Sequence, residues 1–283
     1  DELGRLYVDL SGYDIPTKEP VLVLTRSNKT SLYPMRDIAY TIHKIELNSK
    51  NNFIILGEDQ EVYMKQISAV LDILGYKAPE LICYSYVLLD GDKMSTSAGT
   101  VVLVTDFMKA VRETLIKEFK KRNSEISEDK LNILVNACIK FTMLNVSKNK
   151  IVNFNLENAT SFTGESGMYI LYSIVRINSI LKNNDINLTN EIKFNNDIEK
   201  KIVKELSLFP DVIDSLLKSN EPAHLTKYIF NVAGLFSKLY EQVNITNESD
   251  VILKSSRIRL LKCISKVLTN ALKILGIETI EKL

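Results

Sequence analysis

Thiol and imidazole groups are scarce, with three cysteines and two histidines among 283 residues. Cys83, Cys138 and Cys263 stand far apart and show no C-x-x-C spacing, so a zinc site or a disulfide framework has little to build on. No bound metal is expected, and each cysteine reads as a small core residue. Long apolar runs are missing too. No stretch approaches the roughly 18 uninterrupted apolar residues of a membrane span, and Asp1-Glu2-Leu3-Gly4 is unlike the basic, then apolar, start of a secretory leader. The expectation is a cytosolic protein with no membrane partner.

Net charge is nearly absent as well, 36 basic against 35 acidic residues giving +1. The balance hides an asymmetry, because residues 1–105 hold 10 basic and 14 acidic side chains and residues 106–283 hold 26 and 21, which leaves −4 and +5. Within 254–277 stand Lys254, Arg257, Arg259, Lys262, Lys266 and Lys273 with no acid among them. A polyanionic partner would dock on this second half, although a solvated helix face has the same composition.

What is present is an ordinary globular composition, 45% hydrophobic and 25% charged, in a chain long enough for about two domains of ~150 residues. The first part mixes strand and helix signals. Val21-Leu22-Val23-Leu24 and Phe53-Ile54-Ile55-Leu56 have strand length. Gly57 and Gly75 bracket a helix whose apolar positions, among them Tyr63, Ile67 and Leu74, recur at three and four, with Gly75 placed for a left-handed cap. Strand, glycine, helix is the order of a nucleotide-binding crossover, which puts Gly57 and its successors toward a pocket. The rest reads as helix. Phe107, Val111, Leu115 and Phe119 step by four, as do Leu134 and Cys138, and further helices are expected over 168–181, over 198–217 with a break at Pro210, from Pro222 to 240, and over 253–275 ending at Gly276. The Asn-rich stretch 183–196 reads as an exposed loop. The fold class is therefore α/β followed by all-α.

Lys93-Met94-Ser95-Thr96-Ser97, followed by Ala98-Gly99, is the sharpest short motif. A lysine with clustered hydroxyls on a glycine-flanked loop suits phosphates, though a surface turn uses the same residues. It resembles the K-M-S-K-S signature of class I aminoacyl-tRNA synthetases, with Thr96 in place of the second lysine. Other segments follow in order. Ser31-Leu32-Tyr33-Pro34-Met35-Arg36-Asp37-Ile38-Ala39 resembles the S-L-Y-x-T-R-D-I-A segment of arginyl-tRNA synthetases, and Arg26-Ser27-Asn28-Lys29-Thr30 the R-S-D-G-T before it. Gly57-Glu58-Asp59-Gln60 followed by Val62-Tyr63 is similar to that family's G-x-x-Q helix entrance. Phe162-x-Gly164-Glu165-Ser166-Gly167-x-Tyr169-x-x-Tyr172-x-x-x-Arg176 is similar to its linker into the anticodon-binding bundle, and Glu221-Pro222, Tyr228, Phe236, Tyr240 and Leu275-Gly276-Ile277 to the end of that bundle.

The resemblance implies a partial Rossmann-type nucleotide-binding fold over 1–105, a helical connecting region over 106–160 and an all-α anticodon-binding domain over 161–283. It implies an arginine–tRNA ligase using ATP, with Mg²⁺ accompanying the nucleotide, and L-arginine and tRNA(Arg) as partners of a monomer. Asp37 offers a guanidinium the carboxylate that fork-to-fork pairing needs. Tyr33 supplies a phenol or an aromatic face unless it is a core tyrosine, and Gln60 resembles the residue that bonds the bound amino acid; Arg36 reads as an ion-pair partner. Lys93 is assigned the charge on departing pyrophosphate and Ser95 a hydrogen bond to the same phosphates, with Met94, Thr96 and Ser97 completing the loop. Tyr169, Tyr172 and Arg176, at i, i+3 and i+7, share a helical face fit to stack on unpaired bases, or to pack as a stripe; Tyr240 resembles a further anticodon contact. The H-I-G-H motif of class I is absent, neither His43 nor His224 lying in anything like it. The expectation is thus the carboxyl-terminal half of a longer synthetase, inactive alone; the alternative is a non-catalytic tRNA- or protein-binding module keeping the bundle.

Overall fold

The computed structural model describes residues 1–47, 51–89, 92–93, 103–184 and 188–282. They divide into two compact units, Asp1–Tyr86 with Lys148–Lys150, and Val87–Ser147 with Ile151–Leu283.

In the first unit the short β-branched and aromatic runs form strands. β1 (Tyr7–Asp9) pairs antiparallel with β2 (Val21–Val23), and α1 (Tyr33–Glu46) follows. β3 (Phe53–Gly57) pairs in parallel with β4 (Glu80–Tyr84), Phe53 opposite Glu80 and Gly57 opposite Tyr84. A parallel pair needs a crossover, and this one consists of a 3₁₀ turn, Glu58–Gln60, and α2 (Glu61–Ile73). Gly75 adopts φ +80°, the left-handed cap expected of it. The buried face of α2, Met64, Ile67, Val70 and Leu71, joins Leu10, Leu22 and Ile38 in one core. Helix α1 has no side-chain cap and begins at the Leu32-Tyr33-Pro34 step, where a proline in the first turn costs no hydrogen bond.

In the second unit β5 (Val87–Leu89) pairs antiparallel with β6 (Asp92–Lys93) and in parallel with β7 (Val152–Phe154). Around them run α3 (Val104–Lys121), α4 (Glu128–Leu144) and the single turn α5 (Leu156–Ala159), then α6 (Gly167–Asn183), α7 (Asp197–Ser207), α8 (Phe209–Ser219), α9 (Ala223–Gln242) and α10 (Val251–Ile274). The four-step stripe Phe107, Val111, Leu115, Phe119 is buried along its whole length. Pro210 falls in the first turn of α8, so the expected break separates two helices. Helix α6 approaches α4 closely enough that a Cβ on Gly167 would lie 2.6 Å from the Ala137 carbonyl oxygen, so glycine is required there. Stretch 188–196 is largely exposed as expected, but it is tied down, since the amides of Thr189 and Lys193 donate to the hydroxyls of Ser255 and Ser256 on α10.

Two expectations fail. Cys263 is exposed and Cys83 only half-buried, so Cys138 alone is a core cysteine. Arg257 is not part of a solvated basic face, being 4% exposed. Its Nε donates to Glu199 Oε1 at 2.5 Å, and its two terminal nitrogens donate to Glu248 Oε2 and to Asn195 Oδ1. Glu199, itself fully buried, accepts from the amides of Asn195 and Asn196 with its other oxygen, closing the capping box of α7. One guanidinium thereby holds α7, the 244–250 segment and α10.

Removing the cation from a buried pair leaves the carboxylate uncompensated, which costs about 3–5 kcal/mol. Arg257→Met is expected to lose that much in urea unfolding followed by far-UV circular dichroism. A loss under about 1 kcal/mol, the range of exposed pairs, would show that the pair is hydrated in solution.

Candidate functional site

The residues singled out by sequence fall into two groups, one in each unit. In the first unit Asp37 lies one turn into α1, where the four-residue spacing sets it over Tyr33. Both are exposed, Tyr33 at 63%, which rules out the core role left open for it. The Tyr63 hydroxyl, from the first turn of α2, donates to Asp37 Oδ2 at 2.5 Å, and the Tyr63 ring lies 5.1 Å from that of Tyr33 at 49°. Burial chiefly, then the bond to Asp37 and its charge, push the Tyr63 phenol far above its ordinary value. Gln60 stands at the entrance to α2, three residues before Tyr63, and its amide nitrogen donates to Asp59 Oδ2 at 2.9 Å.

Tyr63 is the member that sequence reasoning missed. The sequence placed it on the apolar stripe of α2 and in the helix-entrance motif but gave it no role; the available signal was its place three residues after Gln60, with a polar tip on an otherwise apolar face. Arg36 departs from expectation as well. It donates to Ser31 Oγ at 3.2 Å and makes no ion pair among the described residues.

The phosphate-loop candidates are only partly visible. The backbone of Lys93 ends β6, opposite Leu88, and Met94, Ser95, Thr96 and Ser97 lie outside the described residues.

In the second unit three of the four stacking candidates converge. Arg176, one turn beyond Tyr172 on α6, sets its guanidinium carbon 4.5 Å above the Tyr172 ring and 5.0 Å from the ring of Tyr240, which comes from α9. Tyr240 is 44% exposed. Tyr169 points elsewhere along α9, with its hydroxyl 3.0 Å from Ser237 Oγ and its ring 5.7 Å from Phe230. A cleft of about 610 Å³ beside Tyr240 is lined by Asn183, Gln242, Asn244 and Thr246. Of the basic run on α10, Lys262, Lys266 and Lys273 are exposed and share a face, whereas Lys254 and Arg259 are half-buried and donate to the carbonyls of Thr246 and Thr189. Among the described residues no group of three or more His, Cys, Asp or Glu is placed to hold a metal ion, and no helix is long and apolar enough to cross a membrane.

Comparison with known proteins gives this geometry a context. The family described as tRNA synthetases class I (R), catalytic domain, matches residues 1–158, and the DALR anticodon binding domain matches 170–283. The arginine–tRNA ligase of Methanococcus aeolicus is 32% identical over 98% of this chain and 49% of its own length, and that of Sulfolobus acidocaldarius is 32% identical over 94% and 44%. The chain thus spans about half the length of the curated relatives it matches. The fold is similar to that of Thermus thermophilus arginyl-tRNA synthetase, with a TM-score of 0.87 at 20% identity over 99% of this chain and 54% of that one. It is also similar to the Plasmodium falciparum arginyl-tRNA synthetase, with a TM-score of 0.80 at 21% identity over 98% and 50%.

The Tyr63–Asp37 bond has a spectroscopic signature. A phenol whose folded value is raised contributes stability that is whole below its unfolded value near pH ~10 and is lost as pH rises through the higher folded value. In a tyrosinate absorbance titration, Tyr63→Phe is expected to remove one late-ionising group and to flatten the alkaline fall in stability. Loss of an early-ionising group instead would mean that the hydroxyl is free in solution.

Proposed function

This chain belongs to the arginyl-tRNA synthetases of class I, and we propose that within a complete protein it carries the amino-acid pocket, the phosphate-handling loop and the anticodon-binding bundle of an arginine–tRNA ligase. The observation that carries the reading is the cluster of Tyr33, Asp37 and Tyr63. With one Asp37 oxygen already accepting from the Tyr63 hydroxyl, the other oxygen and the remaining lone pair of this exposed carboxylate are left as acceptors for two guanidinium N–H groups. The tilted Tyr33 ring beside it offers a face on which the planar cation stacks. Gln60 gives its amide nitrogen to Asp59 and keeps its carbonyl oxygen as an acceptor for the substrate ammonium.

The reaction has two steps. A carboxylate oxygen of arginine attacks the α-phosphorus of ATP and pyrophosphate departs; the terminal ribose hydroxyl of tRNA(Arg) then takes the aminoacyl group and AMP departs. Little covalent help is needed, so the work of the protein is positioning and charge neutralisation. Fixing the side-chain end of arginine at Asp37 leaves its carboxylate as the free nucleophilic end. Lys93 supplies the cation for the departing pyrophosphate and Ser95 a hydrogen bond, in keeping with the motif they occupy. Mg²⁺ would accompany ATP, as the counter-ion of its phosphates. In the bundle, Tyr172, Arg176 and Tyr240 stack on unpaired anticodon bases, Tyr169 supports them through Ser237, and Lys262, Lys266 and Lys273 supply phosphate attraction.

Two measurements test this reading. Asp37→Asn in the complete protein removes the anion from the guanidinium, and a charged hydrogen bond of about 1.5–3 kcal/mol predicts a rise of roughly 10- to 100-fold in KM for arginine, with KM for tRNA unchanged. A normal KM for arginine would overturn the assignment. The 283-residue chain alone, which holds no H-I-G-H motif, is expected to catalyse no ATP–pyrophosphate exchange, and robust exchange would contradict the division of labour proposed here.

A further inference from the structure

Asp37 is an exposed carboxylate on α1. The torsion that turns the plane of such a group is broad, so an unrestrained carboxylate presents its lone pairs over a range of directions. A compact ammonium tolerates that freedom. A planar fork does not, because two parallel N–H···O bonds form only when the planes of donor and acceptor coincide. Whatever fixes the Asp37 plane therefore acts on the affinity for a guanidinium and leaves the affinity for an ammonium nearly untouched.

The first unit supplies such a restraint. The Tyr63 hydroxyl donates to Asp37 Oδ2 at 2.5 Å, and no other hydrogen bond or ion pair among the described residues reaches that carboxylate. The donor is itself held in place. The Tyr63 ring packs against the core that contains Leu22, Ile38 and Ile67, and its neighbour Met64 is buried. Burial chiefly raises the phenol far above its ordinary value, so it acts as a donor and not as a second anion beside Asp37. The ring of Tyr33, 5.1 Å from that of Tyr63, closes one side of the corner.

The same unit contains a tyrosine–aspartate bond for comparison. The Tyr13 hydroxyl donates to Asp72 Oδ2 at 2.8 Å, in the last turn of α2. Nine residues separate Asp72 from Tyr63, which is ~13 Å along a helix axis. The chemistry is alike, and only the Tyr63 bond stands at the candidate site.

We propose that Tyr63 is a positioning residue for arginine, turning the Asp37 carboxylate into the plane that receives a guanidinium edge on and so selecting a planar cation over the ammonium of lysine. This rests on the reading of Asp37 as acceptor for the arginine side chain. Tyr63 acts through Asp37 alone, so its contribution vanishes when Asp37 is gone.

The test is a double-mutant cycle in the complete protein, read as kcat/KM for arginine in aminoacylation of tRNA(Arg), with L-lysine as competitor. Tyr63→Phe keeps the ring and removes only the hydroxyl. It is expected to lower kcat/KM by about tenfold, the size of one weakened charge-assisted hydrogen bond, through KM at unchanged kcat, and to leave inhibition by lysine as it was. In an Asp37→Ala background the same substitution is expected to have no further effect. Tyr13→Phe, which loses a bond of the same kind at the far end of α2, is expected to leave all of these values unchanged. If Tyr63→Phe lowers kcat/KM equally with and without Asp37, or weakens arginine and lysine alike, the hydroxyl serves only the packing of α1 on α2 and the proposal fails. If Tyr63→Phe is silent while Asp37→Ala weakens arginine, the proposal fails and the ligase reading stands. If Asp37→Ala leaves kcat/KM for arginine at its wild-type value, the reading of the pocket fails, and this proposal with it.

Discussion

A guanidinium keeps its charge at any pH a protein survives, and the second unit meets that constraint in opposite ways at two places. Arg176 has aromatic rings for neighbours. Tyr172 from its own helix and Tyr240 from α9 stabilise the cation through their faces, so α6 and α9 are linked there through rings and a cation. The proposed stacking surface depends on this arrangement. An ion pair at the same place would hold the helices equally well and would spend the charge.

Arg257 shows the other solution. It is sunk among Glu199, Glu248 and Asn195, its charge consumed in holding three segments together and none of it available to a partner. The division is geometric: position 257 falls on the inward stripe of α10 with Leu253, Leu261, Ile264 and Leu268, whereas Lys262, Lys266 and Lys273 fall on the outward one. Six basic residues in one run are thus a structural residue, two half-buried ones whose donors go to backbone carbonyls, and three surface cations.

That partition is partly legible in the sequence. The 3.6-residue period puts Arg257 inward and Cys263 outward, and reading the run only for its charge obscured both. Its partner is not legible, because nothing local in Asn195-Asn196-Asp197-Ile198-Glu199 says which cation 58 residues away will meet the carboxylate. Strand β3, Gly57 and α2 were readable because their signals are local. Strands β1 and β4 were not, since such short segments become strands by pairing with distant ones. Helix α1 went unrecognised behind its motif, although Pro34 in the first turn marked a start. At the candidate site Asp37 and Gln60 were named from sequence order, and Tyr63 escaped because an aromatic residue on an apolar face looks like packing until its hydroxyl is seen to have a partner.

The distance along the chain between Glu199 and Arg257 also bears on how the molecule is made. Synthesis proceeds from the amino terminus and long-range contacts close late, so α7 emerges carrying a carboxylate whose cation does not yet exist. Until α10 arrives, that acid lacks the guanidinium it pairs with in the folded bundle. The bundle therefore passes through a translational interval in which α6, α7 and α9 lack the apolar partners that α10 supplies, and a ribosome stalled before the codon for Arg257 would leave the nascent chain in that state.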